Sequence, residues 1–166
     1  RIYRLRKRNL KKPMIVLISS VVDLKRFGIK VNSKTARILK KLWPHFRKSY
    51  GGQAGKVSVI LPLAESQKSK VRSLYYLHRG TKTIAFRLPK PITLRKLLKS
   101  VGPLVAPSAN WEGKSPATTI REAKKYFGNK VDFYFDRGKL KSLPSTLVSI
   151  LNGKIVVLRK GAGRIP

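Results

Sequence analysis

Cations, small hydroxyl residues and one amide are the residues in this sequence whose types and spacing could do chemistry. A basic cluster, "RKRNLKK", places Arg6, Arg8 and Lys12 just before an apolar run. Guanidinium groups can grip phosphates through a planar fork, and ammonium groups act on them as point charges. In a chain with 39 Lys and Arg residues, the same cluster can also be a solvated face.

A second candidate lies in the strand-like run "TIAFR". Thr83 and Arg87 are four positions apart and therefore share one face of a strand, while Ile84 and Phe86 occupy the other. A guanidinium beside a hydroxyl could bind a carboxylate. The alternative is a strand with one solvent-facing side.

Four further residues lie next to predicted strand ends. Ser108 and Asn110 follow a short apolar run, where open α/β sheets bind ligands, but an Asx-type turn that caps backbone amides explains them equally well. Ser145 precedes a strand in Pro-Ser-Thr, and Arg159 follows one before Gly161. Each of these two can be plain turn chemistry.

Several classes of site are excluded by composition and spacing. The chain has no cysteine, so it forms no disulfide, thiolate zinc site or cysteine nucleophile. His45 and His78 are far apart, and the six acids are scattered. No serine triad, acid–base carboxylate pair, GxxxxGK or GxGxxG motif is present. The sequence therefore predicts no catalytic nucleophile or general base and no metal site made by side chains.

Charge is the abnormal quantity. The 166 residues fit one domain with a core, and 42% are hydrophobic, but 39 Lys and Arg face 6 Asp and Glu for a net charge of +33. Such a surplus favours a polyanionic partner, and we expect RNA or DNA; a basic proteome or an acidic membrane contact is the alternative. No membrane-length apolar run or signal peptide is visible, which predicts a soluble, cytoplasmic protein.

The positioning elements are a mixture of strands and helices without strict alternation. Caps and terminators predict helices ending near Leu5, running from Asn32 or Ser33 through Lys41, from Thr93 to Lys99, and from Thr118 or Thr119 through Phe127. Apolar runs predict strands at 14–18, 57–61, 83–88, 104–106, 133–135, 146–151 and 155–158, and glycines predict a mobile loop over 47–56. The pattern predicts a mixed-sheet α/β or α+β domain.

Taken together and in order, the motifs resemble the YrdC-like family of threonylcarbamoyl-AMP synthases over nearly the whole chain. The matching stretches are "RIYRLRKRNLKKPMIVLIS", Leu-Trp-Pro at 42–44, "TIAFRLPKP", "PLVAPSANWEGKSPATT", "LPSTLVSI" and "VLRKGA". The resemblance implies one YrdC-like domain over 1–166, with a twisted mixed sheet, flanking helices and a basic concave surface. It implies synthesis of threonylcarbamoyl-AMP and pyrophosphate from L-threonine, bicarbonate and ATP for tRNA modification.

Residue roles follow from the resemblance, position by position. It implies ATP contacts at Arg8, Lys12, Thr83, Ser108, Asn110 and Arg159, and threonine contacts at Arg87, Ala106 and Ser145. Mg²⁺ is expected to be held mainly by the phosphates of ATP. Catalysis is expected to rest on positioning and charge neutralisation. Transfer RNA and tRNA-modification proteins are the implied macromolecular partners.

Departures from the family pattern leave other readings open. Arg6 stands where the family has lysine, Glu112 stands where it usually has serine, and a longer glycine-bearing loop follows Pro44. The family's N-terminal strand and substrate loop have no counterpart, so we expect an N-terminally incomplete domain. The alternatives are a noncatalytic double-stranded RNA-binding or ribosome-maturation protein of the same fold, and a module of a larger carbamoyl-transfer enzyme.

Overall fold

A computed structural model describes residues 1–44, 55–64, 66–140, 143–151 and 153–165. Within them the chain divides into two compact units, each assembled from two segments. The first unit contains 1–12 and 107–142, and the second contains 13–106 and 143–166. The sequence shows no such boundary. Most of the predicted loop over 47–56, and most of the insertion after Pro44, lies outside the described residues.

The second unit contains a six-stranded mixed sheet flanked by helices, in the order β4-β1-β3-β2-β5-β6. Its strands are β1 (Ile15–Leu17), β2 (Val57–Pro62), β3 (Thr83–Arg87), β4 (Leu104–Val105), β5 (Thr146–Leu151) and β6 (Lys154–Arg159). β1 pairs in parallel with β3, and β2 pairs in parallel with β5. The pairs β1–β4, β2–β3 and β5–β6 are antiparallel. The predicted mixed sheet is confirmed.

The helices of this unit are α2 (Ser33–Leu42), α3 (Lys68–Ser73), α4 (Tyr75–His78) and α5 (Ile92–Val101), with a 3₁₀ helix over Val21–Phe27. The Asn32 side chain accepts from the Thr35 amide and caps α2, as predicted. Removing apolar side chains from water stabilises the unit by about 1.5–3 kcal/mol for each large one. The core includes Val16, Leu39, Trp43, Val59, Phe86 and Val148.

The first unit contains α1 (Ile2–Leu5), α6 (Ile120–Phe127) and a 3₁₀ turn over Gly128–Lys130. Thr119 caps α6 by accepting from the Glu122 amide, and Gly128 ends the helix, as predicted. Phe127 is buried. Beside it lies a cavity of about 190 Å³, lined mainly by Ile2, Leu5, Pro107, Ala109 and Val131.

The strand predicted at 133–135 is wrong. A strand needs a hydrogen-bonded neighbour, and the structure gives this segment none among the residues it describes. Its side chains bond locally instead: the Tyr134 hydroxyl donates to the Gly128 carbonyl, and Asp136 accepts from the Gly138 amide. Phe133 and Phe135 are left 82% and 75% exposed.

The 3₁₀ helix over Val21–Phe27 was not predicted from the sequence, and neither were α3 and α4. Ser20 and Asp23 form a capping box at the start of the 3₁₀ helix, and Gly28 ends it in the left-handed conformation. Among the described residues, no helix is both long enough and apolar enough to cross a membrane.

Candidate functional site

The predicted site residues divide between the two units. Arg8, Lys12, Ser108 and Asn110 belong to the first unit, and Thr83, Arg87, Ala106, Ser145 and Arg159 belong to the second. The described residues contain no group of three His, Cys, Asp or Glu side chains that could hold a metal ion. Within the described part of the chain, side chains alone therefore do not make a magnesium site.

In the first unit, Arg6 is the centre of a hydrogen-bond network. Arg6 as a residue is 6% exposed, and its guanidinium places Nε 3.1 Å from the Asn110 carbonyl oxygen and Nη2 2.9 Å from Asn110 Oδ1. Nη2 also lies 3.2 Å from the Ser108 hydroxyl. Burial, followed by repulsion from Arg8, lowers the pKa of Arg6, and the charge of Glu112 opposes that shift. The planar fork of arginine, which lysine lacks, makes this grip possible.

The side-chain amide of Asn110 makes all of its hydrogen bonds within the protein. Its Oδ1 accepts from Arg6 and from the Ser108 hydroxyl, and its Nδ2 donates to the carbonyls of Trp111 and Lys114. A carboxamide has two donors and two acceptor lone pairs, so all four are occupied. In this conformation Asn110 shapes the loop that presents the exposed Ser108, and its predicted contact with ATP stays a prediction.

Glu112 joins the same loop to the N-terminal basic segment. Its carboxylate forms an ion pair with the Lys12 ammonium and accepts from the Asn9 amide at 2.6 Å. Its own amide donates to the Arg6 carbonyl at 2.8 Å. The hydrogen bonds from Lys12 and Asn9 lower the pKa of Glu112, so the carboxylate stays ionised. Lys12, predicted to contact ATP, is thus already paired.

Trp111 adds a second connection between the two segments of this unit. The Lys7 ammonium lies 3.8 Å from the centre of the Trp111 ring, which is cation–π geometry. On the side of α6, Trp111 packs edge-to-face against Tyr126 at 5.4 Å between ring centres. The loop that carries Ser108 and Asn110 is therefore anchored to both the basic segment and α6.

In the second unit, Arg87 lies at the carboxyl end of β3. Its Nε donates to the Gly55 carbonyl at 2.7 Å, which fixes the side chain. Gly55 has φ +77, and a Cβ there would lie 2.8 Å from the backbone nitrogen of Lys90, so this turn requires glycine. Burial and the charge of Arg159 lower the pKa of Arg87.

Ser145 and Arg159 lie beside this arginine. Arg159 Nη2 donates to the Ser145 carbonyl at 2.9 Å. Ser145 is buried, at 3% exposure, and its hydroxyl lies 2.8 Å from the Ser58 hydroxyl. Ser58 is the direct antiparallel neighbour of Arg87, so the two side chains share a face. Arg87, Ser58, Ser145 and Arg159 form one cluster, called here the arginine cluster.

Ser58 was missed by the sequence reasoning, although a signal existed. A hydroxyl within the apolar run "VSVIL" is a buried polar group that must find a partner. Thr83, in contrast, lies at the opposite end of β3, about 13 Å along the strand from Arg87, where it contacts Thr81. The structure does not bring Thr83 into the arginine cluster, and its predicted ATP contact stays a prediction.

Ala106 extends the pairing of β4 with β1. Its amide donates to the Ile15 carbonyl at 3.1 Å. Because that amide is occupied, any contact of Ala106 with a ligand would use its carbonyl or methyl group.

The turn after Arg159 is fixed by Thr146. The Thr146 hydroxyl accepts from the amides of Gly161 and Gly163, both at 3.0 Å, and donates to the Gly163 carbonyl at 2.6 Å. A Cβ on Gly161 would lie 2.2 Å from the Pro144 carbonyl oxygen. The glycines are required by close packing, which holds Arg159 against the start of β5.

A family model described as "Telomere recombination", that of the Sua5, YciO and YrdC proteins, matches residues 1–161. The chain belongs to the Sua5/YciO/YrdC family. The resemblance drawn from the motifs is thereby confirmed. A protein of Methanocaldococcus jannaschii is 29% identical over 162 residues, covering 97% of this chain and 68% of that protein. The threonylcarbamoyl-AMP synthase of Pyrococcus abyssi is 26% identical over 163 residues, covering 97% of this chain but 43% of that protein.

Solved members of the Sua5/YciO/YrdC family share the fold. A P. abyssi Sua5 variant matches with a TM-score of 0.77 at 25% identity, over 97% of this chain and 45% of that one. P. abyssi Sua5 complexed with L-threonine matches with a TM-score of 0.74 at 26% identity, over 96% and 43%. Escherichia coli YciO, at 21% identity, matches in fold with a TM-score of 0.76 over 99% and 73%.

Proposed function

We propose that this protein is an L-threonylcarbamoyladenylate synthase, a nucleotidyltransferase acting in tRNA modification. The observation that carries the proposal is the arginine cluster. The charge of Arg159 contributes to lowering the pKa of Arg87, and no described carboxylate pairs with either arginine. Two neighbouring cations with no counterion among the described residues favour an anionic ligand. We infer the identity of that anion from the reaction of the family's threonylcarbamoyl-AMP synthases.

Threonine is proposed as the ligand of Arg87. A carboxylate accepts two parallel hydrogen bonds from a guanidinium group. Because Nε of Arg87 already donates to the Gly55 carbonyl, its terminal nitrogens are the donors proposed for threonine. L-Threonine is bound in a solved P. abyssi Sua5 that this chain resembles. Ser145 and Ala106 are the other proposed threonine contacts. Ser145 is positioned by Ser58 through the hydroxyl pair.

ATP is proposed to bind at Arg8, Lys12, Thr83, Ser108, Asn110 and Arg159. In the proposed reaction, the threonine amine combines with bicarbonate and loses water to give a carbamate. A carbamate oxygen then attacks the α-phosphorus, and the bond to pyrophosphate breaks. The cations draw negative charge from the phosphates and no covalent nucleophile is needed. Mg²⁺ carried by the phosphates of ATP belongs to this proposal.

Threonine-dependent release of pyrophosphate tests the synthase proposal. The full-length native protein should release pyrophosphate from ATP when L-threonine and bicarbonate are both supplied. L-Serine and L-valine serve as controls for the amino acid, and bicarbonate-depleted buffer serves as the control for the carbon source. Pyrophosphate release that does not depend on L-threonine would contradict the proposal.

RNA binding is the second candidate function, and one observation besides net charge favours it. Phe133 and Phe135 are largely exposed on a segment that also carries Lys130, Arg137 and Lys139. The Lys124 ammonium lies 5.7 Å from the centre of the Tyr134 ring. Exposed aromatic rings among cations suit unpaired bases of RNA, including those of tRNA loops, more than an intact duplex.

Salt titration of RNA binding tests this second candidate. Affinity for a single-stranded oligonucleotide should fall by orders of magnitude between 50 and 200 mM salt, since phosphate contacts release counterions. The double variant Phe133→Ala/Phe135→Ala should weaken binding about tenfold or more at fixed salt, because each stacked base contributes about 1–3 kcal/mol. Tyr76→Ala removes an exposed aromatic ring elsewhere and is the control. A flat salt response would contradict RNA binding.

A further inference from the structure

Glu112 puts a fixed negative charge where the proposed function expects phosphates. Its two oxygens contact the Lys12 ammonium and the Asn9 amide, and its backbone amide donates a hydrogen bond to the Arg6 carbonyl. Two oxygens and one negative charge are also what a phosphate group would present to the same donors.

The charge around this contact explains why a carboxylate is stable there. Five cations lie within seven residues of sequence: Arg6, Lys7, Arg8, Lys11 and Lys12. Repulsion among them opposes the compact arrangement in the absence of an anion. The effect of Glu112 on the pKa of Arg6 opposes that of Arg8, so Glu112 relieves part of this repulsion.

The contact is also open to exchange. The side chain of Lys12 is 55% exposed and that of Glu112 is 25% exposed, so an approaching anion reaches both. Ion pairs in contact with water are weak. A ligand with several negative charges can therefore replace a single carboxylate at the ammonium.

We infer that Glu112 is an internal counterion, which neutralises Lys12 in the free protein and is displaced when a polyphosphate binds. The inference rests on the proposed function, because it takes Lys12 as a phosphate ligand. Glu112 then limits the affinity for the polyphosphate, because the free energy needed to break the Glu112–Lys12 pair reduces the favourable free energy of binding.

Calorimetric titration with inorganic tripolyphosphate, and separately with ATP, tests the inference on the full-length native protein. Glu112→Gln should tighten the binding of both by about two- to fivefold, the strength of an exposed ion pair. Glu122→Gln changes the net charge equally in the same unit, but its carboxylate bonds to Thr118 rather than to the basic segment. That control should leave the affinity unchanged.

A double-mutant cycle separates a counterion from a structural role. In a Lys12→Gln background, Glu112→Gln should tighten binding clearly less than it does in wild type, because the main cation that it neutralises is gone. Glu112→Ser is the second variant, and thermal melting confirms that each variant is folded. If the probes bind wild type but bind folded Glu112→Gln and Glu112→Ser no more tightly, or more weakly, the inference is overturned while the proposed function stands. If wild type binds neither probe, the proposed ATP contacts fail and the inference fails with them.

Discussion

Arg6 holds Asn110 at two points, through Nε to the backbone oxygen at 3.1 Å and through Nη2 to the side-chain oxygen at 2.9 Å. Since both groups are buried, these bonds fix the loop that presents Ser108. Arg6 is therefore a structural element of the loop.

Arg6→Lys should lower the free energy of unfolding by about 1–3 kcal/mol, because an ammonium cannot satisfy both Asn110 oxygens in the planar geometry of the fork. Asn110→Ala should cost a similar amount. Since the two residues share the same bonds, the double variant should cost clearly less than the sum of the single ones. Urea unfolding of the four proteins measures the coupling, and strictly additive costs would show that the network is not cooperative.

Arg87→Ala should raise the KM for L-threonine about ten- to hundredfold and change the KM for ATP much less. The reason is the loss of charge-assisted hydrogen bonds to a carboxylate, each about 1.5–3 kcal/mol. Arg87→Lys keeps the charge but loses the fork and should fall between wild type and alanine. Steady-state kinetics with each substrate varied in turn makes the comparison. Equal increases in both constants would remove threonine as the ligand of Arg87.

Gly161→Ala should destabilise the protein by about 3 kcal/mol or more, because its new Cβ meets the Pro144 backbone. Gly113→Ala is the matched control. Its φ of +80 strains alanine, but nothing lies within 4 Å of the new Cβ, so about 1 kcal/mol is expected. Thermal unfolding of both variants provides the measurement. A Gly161→Ala variant no less stable than Gly113→Ala would contradict the tight packing behind Arg159.

Glu122 should make the first unit sensitive to acid. Hydrogen bonds from Thr118, with a smaller contribution from the charge of Lys139, lower the pKa of Glu122 below its ordinary 4.5 in the folded state. A lowered folded pKa stabilises the protein above about pH 4.5 and loses that contribution as pH falls through the folded value. Thermal melts should therefore show Glu122→Gln less stable than wild type at pH 7, with the difference shrinking at pH 3. A difference independent of pH would exclude this linkage.

The sheet and the capped helices could be predicted because local chemistry determines them. Asn32 and Thr119 cap α2 and α6 as their side chains require, and the apolar runs at β2 and β5 are buried strands. The segment at 133–135 has the same aromatic, strand-forming composition, but a strand also needs a partner. Pairing is a property of the tertiary structure, which composition does not contain.

The site was less predictable than the fold for the same reason. The sequence placed Ser145 and Arg159 next to strand ends and Arg87 within a strand, and the structure brings these three residues into the arginine cluster. Motif order could not show that Ser58 joins that cluster from β2, because the contact depends on strand register. Nor could it show that Asn110 and Lys12 already have protein partners, which depends on the side chains of Arg6 and Glu112 across a hundred residues of sequence.

Detection of the adenylate itself tests the central claim most directly. The full-length native protein would be incubated with ATP, L-threonine and ¹³C-bicarbonate, and the products would be resolved by mass spectrometry. The proposed function predicts a threonylcarbamoyl-AMP species that carries the ¹³C label, requires L-threonine, forms in step with pyrophosphate and is strongly reduced in Arg87→Ala. No labelled adenylate from folded, ATP-binding protein, or the same yield from Arg87→Ala at limiting threonine, would contradict it.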